Sequence, residues 1–196
     1  MLNPGEIHVW RVPLNRRNTS PPTAEETARA ARFRTPALRR RYLRAHAALR
    51  AILGSVTDAP LEFALRENGK PYLTSAPEIR FNLSHSRGMA LVAVARNVEV
   101  GVDIERIRPL PMYAAIAQRY FPAGCATPSG VRDFFRQWTR FEALLKAHGS
   151  GLYGAGATPA GEWTVTGIDA GPRFTAALAV EGPLPTVVLH DCGKDA

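Results

Sequence analysis

Two acidic side chains near the middle of the chain are the first candidates for chemistry. In VEVGVDIE, residues 98–105, polar and aliphatic residues alternate, which predicts a strand with Asp103 and Glu105 on one face. Two such carboxylates lie about 6.6 to 7 Å apart along a strand and repel each other unless a cation lies between them. A small number of oxygen ligands suits Mg²⁺, and Gly101 on the same face would leave space for a ligand. The alternative is an exposed polar strand face near a chain reversal.

A third acidic residue, Glu142, lies on a predicted helix over residues 131–148, four residues before Lys146. A glutamate and a lysine at this spacing usually form a surface ion pair that stabilises a helix by a few tenths of a kcal/mol. Lys146, however, is the only lysine between Lys70 and Lys194, in a chain that otherwise uses arginine. A lysine ammonium group is a compact charge that suits a phosphate contact or a proton transfer. The helix is therefore a candidate source of one more carboxylate and one cation.

A short polar stretch and a turn add further candidates. In FNLSHS, residues 81–86, Ser84 and His85 lie in a predicted small polar loop between two apolar strands. The histidine could donate to a phosphate or exchange protons near neutral pH, or it could cap a turn. Ser84 and His85 would point apart on an extended chain, which argues against a serine nucleophile. Lys70 lies in the turn ENGKP and could be a solvated turn lysine. The Walker A phosphate motif does not occur in the sequence.

These residues need a mixed α+β framework to bring them together. Thr23 and Glu26 form a capping-box pattern that predicts a first helix running to about residue 33. A second helix is predicted to begin at Pro36 and to end before Gly54. Its buried stripe is Leu38, Tyr42, Ala45, Leu49 and Ile52. Strands are predicted at residues 5–13, 61–66, 79–96 (two strands) and 98–105, in EWTVTGI and in RFTAALAV, with a short helix at 112–120.

Charge is distributed unevenly along the chain. The 196 residues suit one compact domain or two closely packed halves. Residues 1–100 hold 16 Lys and Arg against 8 Asp and Glu, whereas residues 101–196 hold 9 of each, so the net charge of +8 belongs to the first half. This asymmetry indicates an anionic ligand or partner, such as nucleic acid, a phosphorylated cofactor or an acidic protein. Arginines that merely decorate solvated helix faces are the alternative.

Other features limit the cellular setting. Cys125 and Cys192 are the only cysteines, and their distance in sequence favours neither a disulfide framework nor a zinc site. No apolar run reaches the roughly 18 to 20 residues of a membrane-spanning helix, and the N-terminal residues do not resemble a signal peptide. We therefore expect a cytoplasmic protein with no membrane partner.

The motifs, taken together, resemble one family. They are GKPYL at 69–73, FNLSHS at 81–86, GVDIE at 101–105 and WTRFEALLKAHGSGL at 138–152. In order and spacing this set is similar to that of the 4′-phosphopantetheinyl transferases of the larger, surfactin-synthetase-activating (Sfp-like) type, over residues 23–152. The resemblance implies two similar α+β halves, residues 1–100 and 101–196, related by a pseudo-twofold axis with coenzyme A in the cleft between them.

The resemblance also assigns roles to individual residues. It implies that Mg²⁺ is held against the coenzyme A diphosphate by three carboxylates, with cationic and polar side chains around the coenzyme. The implied metal ligands are Asp103, Glu105 and Glu142; the implied coenzyme A contacts are His85 and Ser84 at the diphosphate, Lys70 and Arg41 at the 3′-phosphate or adenine end, Lys146 near the transferring group, and Arg29 through a looser alignment. Glu142 and Lys146 are the implied catalytic residues, with Glu142 as the candidate base.

The implied activity is Mg²⁺-dependent transfer of 4′-phosphopantetheine from coenzyme A to a serine of an acidic apo carrier protein, by a monomer that does not act on nucleic acid. Phe141 departs from the pattern, because members of the family commonly carry lysine immediately before the glutamate of the helix motif. Its place in a stripe with Phe134, Trp138 and Leu145 predicts a core residue. Two alternatives stay open: a nucleic-acid-binding module built on the basic helices between Arg29 and Arg50, and a catalytically weakened coenzyme A-binding homologue.

Overall fold

Alternating apolar strands and two long amphipathic helices form the framework of the molecule. The computed structural model describes residues 2–3, 5–15, 20–151 and 160–192, so Leu152, the last residue of the helix motif, lies outside the described residues. The helices are α1 (Ala24–Ala31), α2 (Pro36–Val56), α3 (Tyr113–Tyr120) and α4 (Val131–His148). The strands are β1 (Glu6–Pro13), β2 (Phe63–Leu65), β3 (Pro71–Leu73), β4 (Ile79–Ser86), β5 (Met89–Arg96), β6 (Val100–Arg106), β7 (Trp163–Gly167), β8 (Phe174–Glu181) and β9 (Thr186–Asp191). The mixed α+β class predicted from the sequence is confirmed.

The first sheet has the strand order β4-β5-β1-β9. Strand β5 pairs antiparallel with both β4 and β1, and β9 pairs parallel with β1. Strand β5 is apolar on both faces because both are covered. Ala90, Val92 and Val94 pack towards α2, whereas Leu91 and Ala93 pack towards the second sheet.

The second sheet has the order β6-β8-β7, with antiparallel pairing throughout. The aliphatic side chains of β6, Val100, Val102 and Ile104, pack against the first sheet. The opposite face of β8 carries Ala177 and Ala179, which pack under α4. The layers therefore run α2, first sheet, second sheet, α4, and the polar face of β6 turns towards α4.

Helix α4 begins and ends where the sequence predicts. Asp133 in its first turn accepts hydrogen bonds from the backbone and the side chain of Ser129, and its negative charge suits the positive end of the helix dipole. Gly149 ends the helix with φ of 89°, a left-handed conformation that favours glycine. The capping box of α1 is also confirmed, since Thr23 and Glu26 bond each other's backbone N–H groups.

Several details differ from the sequence predictions. Helix α2 continues to Val56, so Gly54 lies inside it, where a Cβ would meet open space. Leu38 is 40% exposed because it lies in the first turn of α2, before the helix reaches the sheet. Strands β3 and β9 were not predicted, and β9 joins a strand that lies about 180 positions earlier in the chain. The division into halves 1–100 and 101–196 stays a prediction. None of the described helices is both long and apolar enough to span a membrane.

Candidate active site

Asp103 is the centre of the polar face of β6. Because its neighbours Val102 and Ile104 fill the core between the sheets, Asp103 points to the other side, towards α4. It is 5% exposed, and its Oδ1 atom accepts hydrogen bonds from Lys146 Nζ at 2.6 Å and Ser84 Oγ at 2.7 Å. Lys146 Nζ also lies 3.1 Å from Ser84 Oγ. The strand, the long helix and β4 therefore meet at one carboxylate.

Gly101 allows α4 to lie directly on β6. A Cβ at this position would be 2.2 Å from both the carbonyl oxygen of Ala143 and the amide nitrogen of Ala147. The sequence suggested that this glycine leaves space for a ligand; the space is instead filled by the helix backbone. This close approach places Glu142 and Lys146, on neighbouring turns of α4, beside the polar face of β6.

A ladder of side chains joins β4 to β6, and we call it the β4 ladder: Asn82, Ser84 and Ser86. Their side-chain oxygens accept hydrogen bonds from the backbone N–H groups of Val102 at 2.9 Å, Ile104 at 3.4 Å and Arg106 at 3.1 Å, respectively. Side chains thus replace the backbone acceptors that a neighbouring strand would offer, and they join the two sheets. The predicted polar loop is therefore part of a strand, with these residues on one face.

Glu105 is the second carboxylate on this face of β6. Its Oε2 atom accepts hydrogen bonds from Ser86 Oγ at 2.8 Å and Arg108 Nη1 at 2.9 Å. The Arg108 guanidinium lies 4.8 Å from the centre of the Phe135 ring, which holds it in place. Ser86 and Arg108 were missed at the sequence level, although the period of two in Asn82, Ser84 and Ser86 was a usable signal for the former.

Glu142 completes the acidic group. Burial raises the pKa of Glu142, the positive charge of Lys146 opposes this rise, and the negative charges of Asp103 and Glu105 add to it. Asp103 and Glu105 therefore lie near enough to affect the ionisation of Glu142, and a cation among the three carboxylates would relieve this repulsion.

The donor set fits a hard cation in one further respect. Asp103 Oδ2 is buried and has no hydrogen-bond partner among the described residues, which leaves a carboxylate oxygen available as a ligand. Within the described residues, no group of three acidic, histidine or cysteine side chains is arranged so that it could hold a metal ion. The cation that contacts Asp103 in this structure is the ammonium group of Lys146.

Cationic groups line the other side of the acidic group. Burial lowers the pKa of His85, the charges of Lys146 and Arg41 lower it further, and Glu105 opposes them. The His85 side chain is nevertheless exposed to solvent. Arg41 and Lys146 therefore form a cationic wall next to the carboxylates, with the His85 imidazole beside them and uncharged at pH 7, and this arrangement suits an anionic ligand.

Comparison with known proteins agrees with this geometry. Residues 99–178 match the model of the 4′-phosphopantetheinyl transferase superfamily. The chain is 36% identical over 166 residues to the 4′-phosphopantetheinyl transferase HetI of Nostoc sp. (strain PCC 7120), a match that covers 75% of this chain and 70% of that protein. The chain belongs to the 4′-phosphopantetheinyl transferase superfamily.

Two further relatives extend this result. The 4′-phosphopantetheinyl transferase psf-1 of Bacillus pumilus is 36% identical over 138 residues, 65% of this chain and 58% of the relative. The 4′-phosphopantetheinyl transferase Sfp of Bacillus subtilis (strain 168) is 28% identical over 154 residues, 67% of each chain. The family resemblance and the transferase class predicted from the sequence are confirmed.

Not every residue implied by the family pattern lies at this site. Lys70 is 7% exposed and donates to Glu99 Oε2 at 2.7 Å, Val100 O at 3.1 Å and Ala147 O at 2.6 Å. An ammonium group has three protons, so a phosphate contact by Lys70 would require one of these bonds to break. Arg29 is exposed on α1, and its charge acts on Tyr42 and His46.

Phe141 has the core position that its helical stripe predicts. It is 8% exposed, and its ring packs edge-on against Phe121, with 5.9 Å between the ring centres. Trp138 and Phe134 belong to the same aromatic cluster, and Glu142 lies on the adjoining face of α4. In this family member, Phe141 therefore contributes apolar packing between α4 and the end of α3 instead of a charge.

Proposed function

We propose that this protein transfers the 4′-phosphopantetheine group of coenzyme A to a serine hydroxyl of an apo carrier protein, with Mg²⁺ bound, and releases adenosine 3′,5′-bisphosphate. The similarity to relatives that are 4′-phosphopantetheinyl transferases supports the transfer. The observation that carries the proposal is the approach of α4 to the polar face of β6, which joins Lys146 to Asp103 and brings Glu142 within electrostatic range of Asp103 and Glu105. The cationic wall of Arg41 and Lys146 lies beside this acidic face. An acidic metal site beside a cationic wall suits a diphosphate that is bound together with a divalent cation.

Asp103, Glu105 and Glu142 are the residues that would hold Mg²⁺. Asp103 Oδ2 is available for it. Burial raises the pKa of Glu142, and the repulsion from Asp103 and Glu105, which adds to this rise, would decrease when a cation binds. When bound, Mg²⁺ supplies neutralisation of the diphosphate charge and a common point of attachment for the reacting groups.

The side chains of the protein have separate roles in the proposed transfer. The Glu142 carboxylate accepts the hydroxyl proton of the carrier serine while the serine oxygen attacks the pantetheine-side phosphorus. The attacking oxygen forms a bond to phosphorus, and the bond to the adenosine-bisphosphate oxygen breaks. Lys146 and His85 hold the diphosphate, and Arg41 holds the 3′-phosphate or adenine end. The Lys146 ammonium group stabilises the charge that develops on the leaving oxygen. Ser84 orients both Asp103 and Lys146 through hydrogen bonds.

An acidic carrier protein is the proposed partner. The surplus positive charge of the first half includes four exposed arginines between the end of α1 and the first turns of α2: Arg32, Arg34, Arg39 and Arg40. Opposite charges on the two proteins would speed their encounter, and the effect would weaken as the salt concentration rises. A nucleic-acid role is not favoured by the rest of this surface, because Arg44 donates to Leu14 O and Arg50 pairs with Glu26. We propose that the protein acts as a monomer, since both walls of the site come from one chain.

The direct test is incubation with coenzyme A, Mg²⁺ and a panel of apo carrier proteins from fatty-acid, polyketide and peptide synthesis. Mass spectrometry should show a gain of one phosphopantetheine group on at least one carrier, and chelation of the metal should prevent it. If no carrier gains mass although coenzyme A binds, the chain is a weakened coenzyme A-binding homologue. Retention on nucleic acid without any transfer would favour the rival module.

A further inference from the structure

The ammonium group of Lys70 lies where three elements meet. Its acceptors are the Glu99 carboxylate just before β6, the Val100 carbonyl at the start of β6, and the Ala147 carbonyl in the last turn of α4. The side chain is 6% exposed. A buried ammonium group is favourable only when its protons are donated, and all three are.

The end of α4 needs such a donor. The last four carbonyl groups of a helix have no partner within the helix, and the helix dipole makes this end negative. The amide of Gly149 satisfies Leu145 O, and Lys70 satisfies Ala147 O with a positive charge. Asn68, two residues earlier in the same turn, approaches His148 O at 3.5 Å. The turn between β2 and β3 therefore caps the C-terminus of α4.

This cap lies one residue from the site. Ala147 directly follows Lys146, and Val100 directly precedes Gly101, on which α4 rests. Lys70 consequently fixes the last turn of α4 and the first residue of β6 with a single group. The contact between Lys146 and Asp103 depends on the same two segments.

The anion that Lys70 needs is supplied by the protein itself. Glu99 accepts from Lys70 at 2.7 Å, from Arg66 at 2.8 Å and from Arg80 at 2.9 Å. Burial acts to raise the pKa of Glu99, but the hydrogen bond and charge of Lys70, with Arg66 and Arg80, hold it below its ordinary value. Glu99 therefore remains ionised at neutral pH and holds Lys70 away from solvent.

We infer that Lys70 is a positioning residue, which caps α4 and holds Lys146 against Asp103, and not a ligand of the coenzyme A 3′-phosphate. The inference rests on the proposed function. It replaces the role that the family pattern implies for this lysine with one that follows from its three contacts.

The test uses Lys70→Met, which keeps much of the side-chain length and removes the charge and all three donors. At saturating coenzyme A, kcat should fall at least about tenfold, because small displacements of catalytic groups are costly. The KM for coenzyme A should change less than about threefold, since no binding contact is removed. The ratio of the KM values for 3′-dephospho-coenzyme A and coenzyme A should stay within about twofold of wild type. A collapse of this ratio towards one would show that Lys70 contacts the 3′-phosphate and would overturn the inference.

Arg66→Met is the matched control. Arg66 shares the Glu99 carboxylate with Lys70 but is 36% exposed and belongs to the other side of the turn. Its replacement should leave kcat within about twofold of wild type. An equal loss of kcat in both variants would mean that neutralisation of Glu99, and not the helix cap, is what matters.

A measurement on the wild-type protein covers the case in which Lys70→Met does not fold. Acylation by acetic anhydride, followed by peptide mass spectrometry, should modify Lys146, with protection by coenzyme A, and should leave Lys70 unmodified with or without coenzyme A. Rapid modification of Lys70 that coenzyme A prevents would contradict the inference. If the wild-type protein transfers nothing to any carrier, the proposed function fails. The role of Lys70 is then still decided by the acylation pattern and by calorimetric affinities of wild type and Lys70→Met for coenzyme A and 3′-dephospho-coenzyme A.

Discussion

Lys146 Nζ lies 2.6 Å from Asp103 Oδ1, and this ion pair joins the last turn of α4 to the middle of β6. The Asp103 side chain is 6% exposed and the Lys146 side chain 30%, so the pair lies at the boundary between the protein interior and solvent. Ser84 donates to the same Asp103 oxygen, and the other oxygen has no hydrogen-bond partner in the described part of the chain. Asp103 Oδ2, which lacks a hydrogen-bond partner, and the partly exposed Lys146 ammonium group therefore lie next to each other. The proposed transfer requires such a pair, one group for the metal and one for the diphosphate.

Asp103→Asn should reduce Mg²⁺-dependent transfer by about a hundredfold or more, because it removes the charge of a proposed metal ligand and leaves Lys146 without its partner. Stability should fall by about 1 to 3 kcal/mol, less than for a fully buried pair, since water can solvate Lys146. Steady-state transfer to an apo carrier and urea unfolding measure the two effects.

Glu78→Gln is the matched control for that carboxylate change. Glu78 pairs with Arg96 at 3.3 Å, and its side chain is 37% exposed. Its replacement should change stability by less than about 0.5 kcal/mol and leave transfer unaffected. Full activity of Asp103→Asn at ordinary Mg²⁺ concentration would remove Asp103 from the proposed metal site.

Glu142 should impose an acid limit on transfer. Its pKa is raised above the ordinary 4.5, mainly by burial, so the rate should fall with decreasing pH at a value above 4.5. Added Mg²⁺ should move this limit to lower pH, because a bound cation favours the ionised carboxylate. The pH dependence of kcat/KM at several Mg²⁺ concentrations tests this expectation; a limit that does not respond to Mg²⁺ contradicts Glu142 as a metal ligand.

The same shift predicts an unusual stability for Glu142→Gln. A carboxyl group whose pKa is raised on folding stabilises the folded state below its unfolded pKa, and that contribution is lost as pH rises through the folded pKa. Wild type therefore bears the cost of ionising Glu142 at pH 7, and Glu142→Gln does not. The variant should unfold at a higher temperature than wild type at pH 7, with a smaller difference at pH 4, while transfer is lost. A lower Tm at pH 7 would be the contrary result.

How much of the fold and of the candidate site could be predicted from the sequence depends on how far apart in the chain the interacting residues lie. The alternation in β6 and the periodicity of α4 are local, so the positions of Asp103, Glu105, Glu142 and Lys146 on their elements were predictable. The partners of the β4 ladder were not, because an asparagine or serine on a strand acquires its acceptor role only when a second sheet lies opposite.

Glycine and lysine misled the sequence reasoning for a related reason. Gly54 was expected to end α2, but the packing of Ile52, Leu53 and Val56 against the first sheet carries the helix past it. Lys70 reads as an ordinary turn lysine, since its three acceptors come from positions 29, 30 and 77 residues away. Tertiary contacts decided both cases, and no local pattern records them.

Gly101→Ala should destabilise the protein and reduce transfer together. The new Cβ would lie 2.2 Å from the backbone of α4, so the helix must move away from β6. Overpacking of this kind costs about 1 to 3 kcal/mol and occasionally more. Gly167→Ala is the control, because a Cβ there meets nothing within 4 Å. Thermal unfolding and transfer rates should separate the two variants; a neutral Gly101→Ala would show that α4 does not rest on this glycine.

His46 should make the folded state sensitive to acid. Burial lowers its pKa to about 4, the charges of His85, Arg29 and Arg50 act in the same direction, and Glu26 opposes them. The unfolded chain, with a pKa near 6.5, therefore binds a proton that the folded protein does not bind between about pH 6.5 and pH 4, so stability should decrease as pH falls through this window. His46→Gln cannot titrate and should lose less stability than wild type between pH 7 and pH 5 in urea unfolding. Parallel losses in the two proteins would mean that His46 is protonated in the folded state, and the acid sensitivity would then have to come from another group.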